Sequence, residues 1–463
     1  MLVQSIAILA TLVTAPSEPQ VLTLEQALEI ALSDNIAVKV ADKEIERAEY
    51  AKKGTYAALF PQIDASASFQ RTIEKQVMYM DFDMSSIMGP GAGGSEGSTE
   101  GSTEGGESSA PSSNDGMEVG RWNSFSAGVS AGMPLVNFQL WESLRISGQD
   151  VELAVEKARS SRLEMVTQVK SAYYAALLAK ESYAVYKEVY DNALANFEKI
   201  SLKRDAQKAS ELDYARAATT LANAVPNLYD SQNSITLTLW QLKAVMGVDL
   251  DMEIDVAGKL SDYAQDMSIL FGEDELNLDN NSTMRQLAIQ AEQLASAVKS
   301  QQYAYLPSLN LSFVYNYSAM ANDFEFSTYR WTPYSYVGLS LSIPIFSGGK
   351  RYNNVRAAKV QASELELQTE NSRRQLQIAI RQNINTMETA MHSYEAAGKA
   401  LESAQKAYDI TQASYEVGSS TLTDLNDAQL ALVQARMSVS QSIFSYLNAK
   451  ASLEQTLGCD FLE

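Results

Sequence analysis

The sequence predicts a mainly α-helical fold with membrane β-barrel strands, organised around a duplicated long-helix hairpin module. Three observations predict it. The first is a repeat: Tyr415 to Gly458 lies on Arg204 to Gly247 at one constant offset, without a gap. Asp213 and Asp424, Ala217 and Ala428, Leu221 and Leu432, Leu242 and Leu453, and Gly247 and Gly458 are identical pairs across it. The steps between such pairs are mostly threes, fours and their sums, the spacing of one helix face. A repeat on a helical period marks a duplicated supersecondary unit. The second observation is helix length. From about Leu140 to Arg204 there is no proline and Gly148 is the only glycine; such a helix spans about 95 Å and is coiled-coil-like. The third is a set of segments that alternate apolar and polar residues and sit at equal places in both repeats.

The bulk numbers exclude several classes. The chain has 463 residues, 46% hydrophobic, and a formal net charge of −21. That charge argues against nucleic acid or an anionic membrane surface as a partner. Cys459 is the only cysteine, so no disulfide or cysteine-based metal site forms within one chain.

The elements follow in order. Leu2 to Val13 is a short apolar run before Thr14-Ala15-Pro16. It reads as a secretory signal over residues 1–16, with a mis-set start or a buried strand as the alternatives. It is too short to span a membrane as a helix. Leu24 to Asn35 predicts a short amphipathic helix capped by Thr23, and Val38 to Ala58 a second. Ile63, Ala65, Ala67 and Phe69 then alternate with polar residues over a strand at about 62–71. Residues 85–120 are acidic and low in complexity and read as a flexible loop. Phe125, Ala127, Val129, Ala131 and Met133 mark a strand at about 123–135. After the long helix, Asp205 to Ser210 breaks the pattern and a return helix runs to Met246, with Pro226 expected to kink it.

Residues 22–250 therefore form the first repeat, 251–280 an irregular acidic linker, and 281–458 the second repeat. The second repeat carries strands at about 308–319 and 334–346, and Ser347-Gly348-Gly349 leads into its long helix. The stripe Leu376, Ile380, Ile384, Met387 and Met391 on that helix reads as helix packing, not as a cofactor box.

No run is apolar enough for a membrane-spanning helix, so any membrane segment is made of strands. Four such strands cannot close a barrel alone, since membrane barrels start at about eight. An open edge in lipid leaves backbone groups unpaired at several kcal/mol each. The strands must then be shared among copies of the chain. Tyr329, Trp331, Tyr334 and Tyr336 cluster at one strand end, as a membrane-interface girdle would. The competing reading is a periplasmic or cell-surface coiled-coil structural or adhesive protein. A stalk, however, has no need of strand alternation at equal places in both repeats.

The order of elements, the duplication, the prolines at strand–helix junctions and the segment YEVGSSTLTDLNDA (Tyr415–Ala428) resemble the TolC family of outer-membrane efflux channels. The resemblance covers Leu22 to Gly458. It implies a homotrimer with a twelve-stranded barrel in the outer membrane of a Gram-negative-type bacterium and a periplasmic helical tunnel. Such a channel is the passive exit duct of a tripartite efflux or type I secretion system. It opens when a periplasmic adaptor protein and an inner-membrane transporter dock. No cofactor, metal, nucleic acid or enzymatic activity is expected: His392 has no metal-ligand partner one turn on, and no catalytic constellation is visible. Many members carry a lipid-anchoring cysteine after the signal; none stands there, so no acyl anchor is expected.

Through the resemblance, Asp424 and Asp427 match positions that line the periplasmic constriction. Three apart, they share one helix face. Their structural alternative is a capping box from Thr421 to Asp424, where first-turn acids favour the helix dipole. Tyr415 and Asp213 match positions that bond between helix pairs to keep the tunnel shut; their alternatives are coiled-coil packing for Tyr415 and a first-turn carboxylate for Asp213. The family's basic residue two after the glycine is Ser420 here. Lys203, Arg204 and Lys208, near the other turn, are candidates to replace it or to meet the adaptor, with solvated tip residues as the alternative. The adaptor contacts are placed on these three residues and on Gly418, Ser419 and Ser420.

Overall fold

The computed structural model describes residues 20–78, 117–267 and 277–459. The signal-like run 1–16 and residues 85–116 of the acidic loop lie outside the described residues. In chain order the elements are β1 (Gln20–Leu22), α1 (Leu24–Asp34), α2 (Ile36–Ala57), β2 (Gln62–Arg71), β3 (Gln76–Met78), β4 (Met117–Val119) and β5 (Asn123–Val136). The long helices α3 (Phe138–Asp205) and α4 (Glu211–Met246) follow, then β6 (Ile254–Val256) and α5 (Ser282–Tyr303). The chain ends with β7 (Ser308–Ala321), β8 (Thr332–Ser342), α6 (Lys350–Glu416) and α7 (Leu422–Leu457). They divide into two compact units: one of Thr55–Trp141 with Tyr303–Gly348, and one of the remaining segments.

The helical unit is set by its caps. Thr23 starts α1 with a reciprocal box: its hydroxyl accepts the Gln26 N–H and its own N–H donates to Gln26 Oε1. Ser210 and Thr421 start α4 and α7, each accepting an N–H from the aspartate three residues on; the box is reciprocal at Thr421, whereas at Ser210 it is the hydroxyl that donates back to Asp213. Gly247 and Gly458 end these helices in the left-handed conformation, with φ of 77° and 72°. Here only glycine fits, because a Cβ on Gly247 would stand 2.8 Å from the Asp34 carbonyl oxygen, and one on Gly458 would run into that of Asn280.

Each glycine meets a buried asparagine that the sequence reading did not single out. Asn35 donates its amide to the Val245 carbonyl at 2.5 Å while its Oδ1 accepts the Ala37 N–H. Asn281 donates to Thr456 O at 2.6 Å while its Oδ1 accepts the Met284 N–H. Both asparagines thus cap one helix start and tie it to another helix end.

Residues 251–267, the first part of the expected linker, are more ordered than an irregular segment. β6 pairs in parallel with β1, and a 3-10 turn runs over Leu260–Asp266. Three-residue strands are too short to show alternation, so periodicity could not reveal them. Tyr173 of α3 holds this ribbon: its hydroxyl lies 3.1 Å from Leu22 O and 2.7 Å from Ala257 O. Burial pushes the Tyr173 phenol up to about 12. Lys180 of α3 adds an ion pair to Asp255 at 2.8 Å. The main core lies here, with Val169, Tyr173 and Leu177 of α3, Ile380 and Met387 of α6, and Tyr446 and Leu453 of α7. The predicted apolar stripe of α6 therefore meets Val169, Tyr173 and Leu177 of α3 in one core. Pro226 lies inside a continuous α4. Among the described residues no helix is long and apolar enough to cross a membrane.

The other unit is a four-stranded antiparallel sheet in the order β2-β5-β7-β8. Its register stacks the alternation of all four strands in phase. Ile63, Ala65, Ala67, Phe125, Ala127, Val129, Leu311, Phe313, Leu339 and Leu341 share one face. Ser66, Ser68, Ser126, Ser130, Ser312, Asn316 and Ser340 share the other. Close strand approach explains Gly128, where a Cβ would stand 2.7 Å from Tyr315 O.

Three strand expectations change. β5 continues past Pro134 to Val136 through a bulge, which absorbs the missing N–H. β8 stops at Ser342 and not near residue 346, because Pro344 cannot donate and the partner β7 begins opposite Ser342. Residues 117–119, assigned to the flexible loop, form β4 against β3.

Candidate functional site

The two long hairpins turn at Ala206–Ser210 and Val417–Thr421. Ile200, Ala217 and Leu422 form a small buried cluster there, with Phe197, Tyr214 and Tyr415 packed on it. Leu422 belongs to one hairpin and Ile200 and Ala217 to the other, so the cluster joins the pair. A cavity of about 220 Å³ lies beside it, lined by Asn192, Asn196, Thr220, Tyr415, Asn426 and Gln429 among others. The Gln429 amide nitrogen is buried there without a protein partner. Packing that is polar and incomplete holds two helices less firmly than an apolar seam.

Asp424 and Asp427 are both exposed. Asp424 closes the capping box of α7: its Oδ2 accepts from the Thr421 N–H at 2.9 Å, the Thr421 hydroxyl at 2.7 Å and the Ser420 hydroxyl at 3.2 Å. These bonds, those from Thr421 first, hold its carboxyl below the usual aspartate range. The structural alternative for this residue is thus realised within one chain. Asp427, one turn along, has an open face.

Tyr415 and Asp213 do not bond to each other. The Tyr415 hydroxyl donates to Asn196 Oδ1 of α3 at 3.2 Å. Asp213 is turned to its own helix start and accepts from the Ser210 hydroxyl at 2.7 Å. Burial, more than any other cause, raises the Tyr415 phenol above its ordinary value. The inter-hairpin bond at Tyr415 is therefore neutral. Asn196 was not visible as its partner because it lies on another helix, distant in sequence.

Arg204 is held inside its own turn. Its guanidinium lies 3.9 Å from the Tyr214 ring centroid and pairs with Asp205 at 3.2 Å. Lys203 and Lys208 are exposed, as are Gly418 and Ser419, whereas Ser420 is half-buried. Val417 stands 81% exposed at the centre of the second turn, an apolar neighbour that the sequence reading left unassigned. Lys199 and Glu416 face each other at 3.9 Å between the hairpins.

The four aromatics assigned to one girdle separate. Tyr329 joins a cluster with Phe125 and Phe326, at 5.4 and 5.1 Å between ring centroids, and donates to Asp323 O. Trp331 precedes β8 and is exposed. Tyr334 and Tyr336 pair with Asn316 and Val314, which places them on the serine-rich face. The alternation dictates this, since both are in phase with Ser340 and Ser342. Tyr315 and Tyr317 occupy the apolar face instead, their hydroxyls 2.9 Å apart.

Long paired helical hairpins with capped turns, joined in sequence to a sheet with one apolar and one polar face, define the channel-tunnel class of outer-membrane protein. The sequence matches the family described as outer membrane efflux protein over residues 27–248 and 275–459. The chain belongs to that family, a family of outer-membrane channels and not of enzymes, and is accordingly an outer-membrane protein. Outer membrane protein TolC of Vibrio cholerae is 25% identical over 348 residues, covering 72% of this chain and 76% of the relative. TolC of Escherichia coli is 20% identical over 350 residues, 73% and 70% of the two chains. The Campylobacter jejuni CmeC outer membrane channel superposes with a TM-score of 0.70 at 19% identity, over 94% of this chain and 85% of that one.

Proposed function

We propose that this protein is the passive exit duct of a tripartite efflux or type I secretion system, working as a homotrimer. The observation that carries the reading is the four-stranded sheet with β2 and β8 at its open edges and one face mainly apolar, broken by Ser335 and, at one end, by Arg71 and Asn123. Unpaired edges do not persist in lipid. Three copies joined edge to edge make a closed twelve-stranded barrel within the size range of outer-membrane barrels. The duplicated hairpins then supply the helical tunnel wall, and an adaptor and an inner-membrane transporter supply the drive.

In this reading Asp424 and Asp427 of all copies ring the narrow end. A ring of carboxylates attracts cations and excludes anions. The cap bonds keep the Asp424 side of that ring ionised at neutral pH. The turns are the docking surface, with Lys203, Lys208, Gly418, Ser419 and Val417 facing outward. Tyr415 and the polar seam beside it form the latch: opening exchanges the Asn196 bond and an incompletely filled cavity for water, and the small cluster of Ile200, Ala217 and Leu422 is the apolar contact that resists it. Trp331, Tyr315 and Tyr317 anchor the barrel at the membrane interface.

Single-channel recording in planar bilayers tests this, with Asp424→Ala/Asp427→Ala beside the parent. The parent gives a small, cation-selective conductance, and the double variant a weaker cation preference. Unchanged selectivity in a conducting variant removes the carboxylates from the conduction path. A folded parent that neither inserts nor forms trimers overturns the duct itself.

A further inference from the structure

The sheet register brings together residues far apart in sequence. Asp64 pairs with Ser130, Ser130 with Val314, and Val314 with Tyr336, so the four form one row across the sheet. The next row is Ser66, Gly128, Asn316 and Tyr334. Both rows lie on the polar face. On that face of β2, β5, β7 and β8, Asp64 is the one charged side chain, and Tyr334 and Tyr336 are the only aromatic ones. The rest are mainly serine, glycine and amides. Each tyrosine is 52% exposed, and Asp64 is exposed. The Tyr336 ring leans along the strand over Gly338, where a Cβ would stand 3.7 Å from it.

We propose that Tyr334, Tyr336 and Asp64 form a collar inside the barrel that binds organic cations carrying an aromatic or apolar group. The proposal rests on the duct reading above, in which the polar face lines the lumen. Side chains two residues apart on one strand leave the backbone about 7 Å from each other, and the lean of Tyr336 toward Gly338, away from Tyr334, leaves room between them for a small ring or an alkylated ammonium. Aromatic faces are the standard receptors for quaternary ammonium groups. Asp64 stands three strand spacings away, about 14 Å across the sheet. With a strand tilt of about 40° that becomes an axial offset of about 9 Å between the carboxylates and the rings. The carboxylates draw a cation to the collar, and the rings retain its apolar part. An anion of the same shape meets repulsion from Asp64 and gains nothing from the electron-rich ring faces. The flanking serines and glycines offer neither charge nor stacking surface, so selectivity on this face is confined to these three positions.

The test is calorimetric binding of benzyltrimethylammonium to the full chain in detergent, with light scattering on the same sample for its mass. Tetramethylammonium (charge without ring) and benzenesulfonate (ring with opposite charge) are the comparators. The parent trimer binds benzyltrimethylammonium about ten-fold or more tightly than either comparator. Tyr334→Ala/Tyr336→Ala removes that preference, and Tyr334→Phe/Tyr336→Phe retains it because the ring faces remain. Asp64→Asn weakens binding of both cations by about three-fold at low salt and less at high salt. A parent trimer without the preference, or an alanine pair that keeps it, overturns the collar and leaves the duct standing. A folded parent that is monomeric overturns the duct reading, and the collar with it.

Discussion

The turn at Ala206–Ser210 and the turn at Val417–Thr421 are one backbone built twice with different chemistry. Lys208 N–H donates to Lys203 O at 2.7 Å, and Ser419 N–H donates to Ser414 O at 2.8 Å. Gln207 N–H donates to Arg204 O, and Gly418 N–H to Tyr415 O. Gln207 and Gly418 both take positive φ, 57° and 79°. Ser210 with Asp213 and Thr421 with Asp424 then cap the return helices. The frame is the same, yet Lys203, Arg204, Lys208 and Arg216 of the first turn correspond to Ser414, Tyr415, Ser419 and Asp427 of the second. Hydrogen bonds that end one helix and start the next are needed in both copies. The side chains between them are not constrained by those bonds. The first turn is richer in cationic side chains and the second is neutral to acidic, so the two turns present different surfaces.

The largest expected effect tests the frame itself. Gly458→Ala combines a left-handed φ with a collision against the Asn280 carbonyl. It should cost roughly 3 kcal/mol or more in thermal or denaturant unfolding. Gly418→Ala has the same sign of φ but open space around it. Its cost should be only about 1–2 kcal/mol, the left-handed term alone. Equal costs would mean that the helix-end junction at Asn281 does not hold the unit together.

Legibility followed the length scale of each signal. The duplication, the long helices and the four main strands were readable because each repeats a period over many residues, as Leu309 to Tyr317 does. The Thr421–Asp424 box was readable because both partners lie within one turn. The short β1–β6 ribbon was not, having three residues a side. Neither was the Tyr415–Asn196 bond, nor the two asparagine junctions, whose partners lie in distant segments. The assignment of Tyr334 and Tyr336 to a membrane girdle grouped them by nearness in sequence. Their phase with Ser340 and Ser342 already placed them on the polar face.

The next effect in size belongs to the second turn's cap. Thr421→Ala removes both the hydroxyl that accepts the Asp424 N–H and one donor to its carboxylate. It should destabilise by about 1 kcal/mol, as loss of an N-cap does. It should also move the Asp424 titration upward. The folded-state pKa of Asp424 is depressed, so its contribution is complete above the unfolded value of about 3.9. It fades as pH falls through the lower folded value. Carboxylate titration by carbon NMR should therefore find Asp424 below the ordinary aspartate range in the parent and nearer that range in Thr421→Ala. A parent value above that range would mean that neighbouring carboxylates in a ring outweigh the cap.

The smallest expected effect is also the sharpest on the comparison. If the two turns share one frame, the residue that departs from it is Gln207, which holds with a side chain the conformation that Gly418 holds without one. Gln207→Gly should then stabilise the protein, by up to about 1 kcal/mol, because relief of the left-handed strain exceeds the added freedom of the unfolded chain. The reverse exchange, Gly418→Gln, should cost a similar amount or more. Urea unfolding of the two variants measures both. A Gln207→Gly variant less stable than its parent would mean that the glutamine side chain makes a compensating contact in the assembled turn, and that the first turn has acquired a structural role which the second lacks.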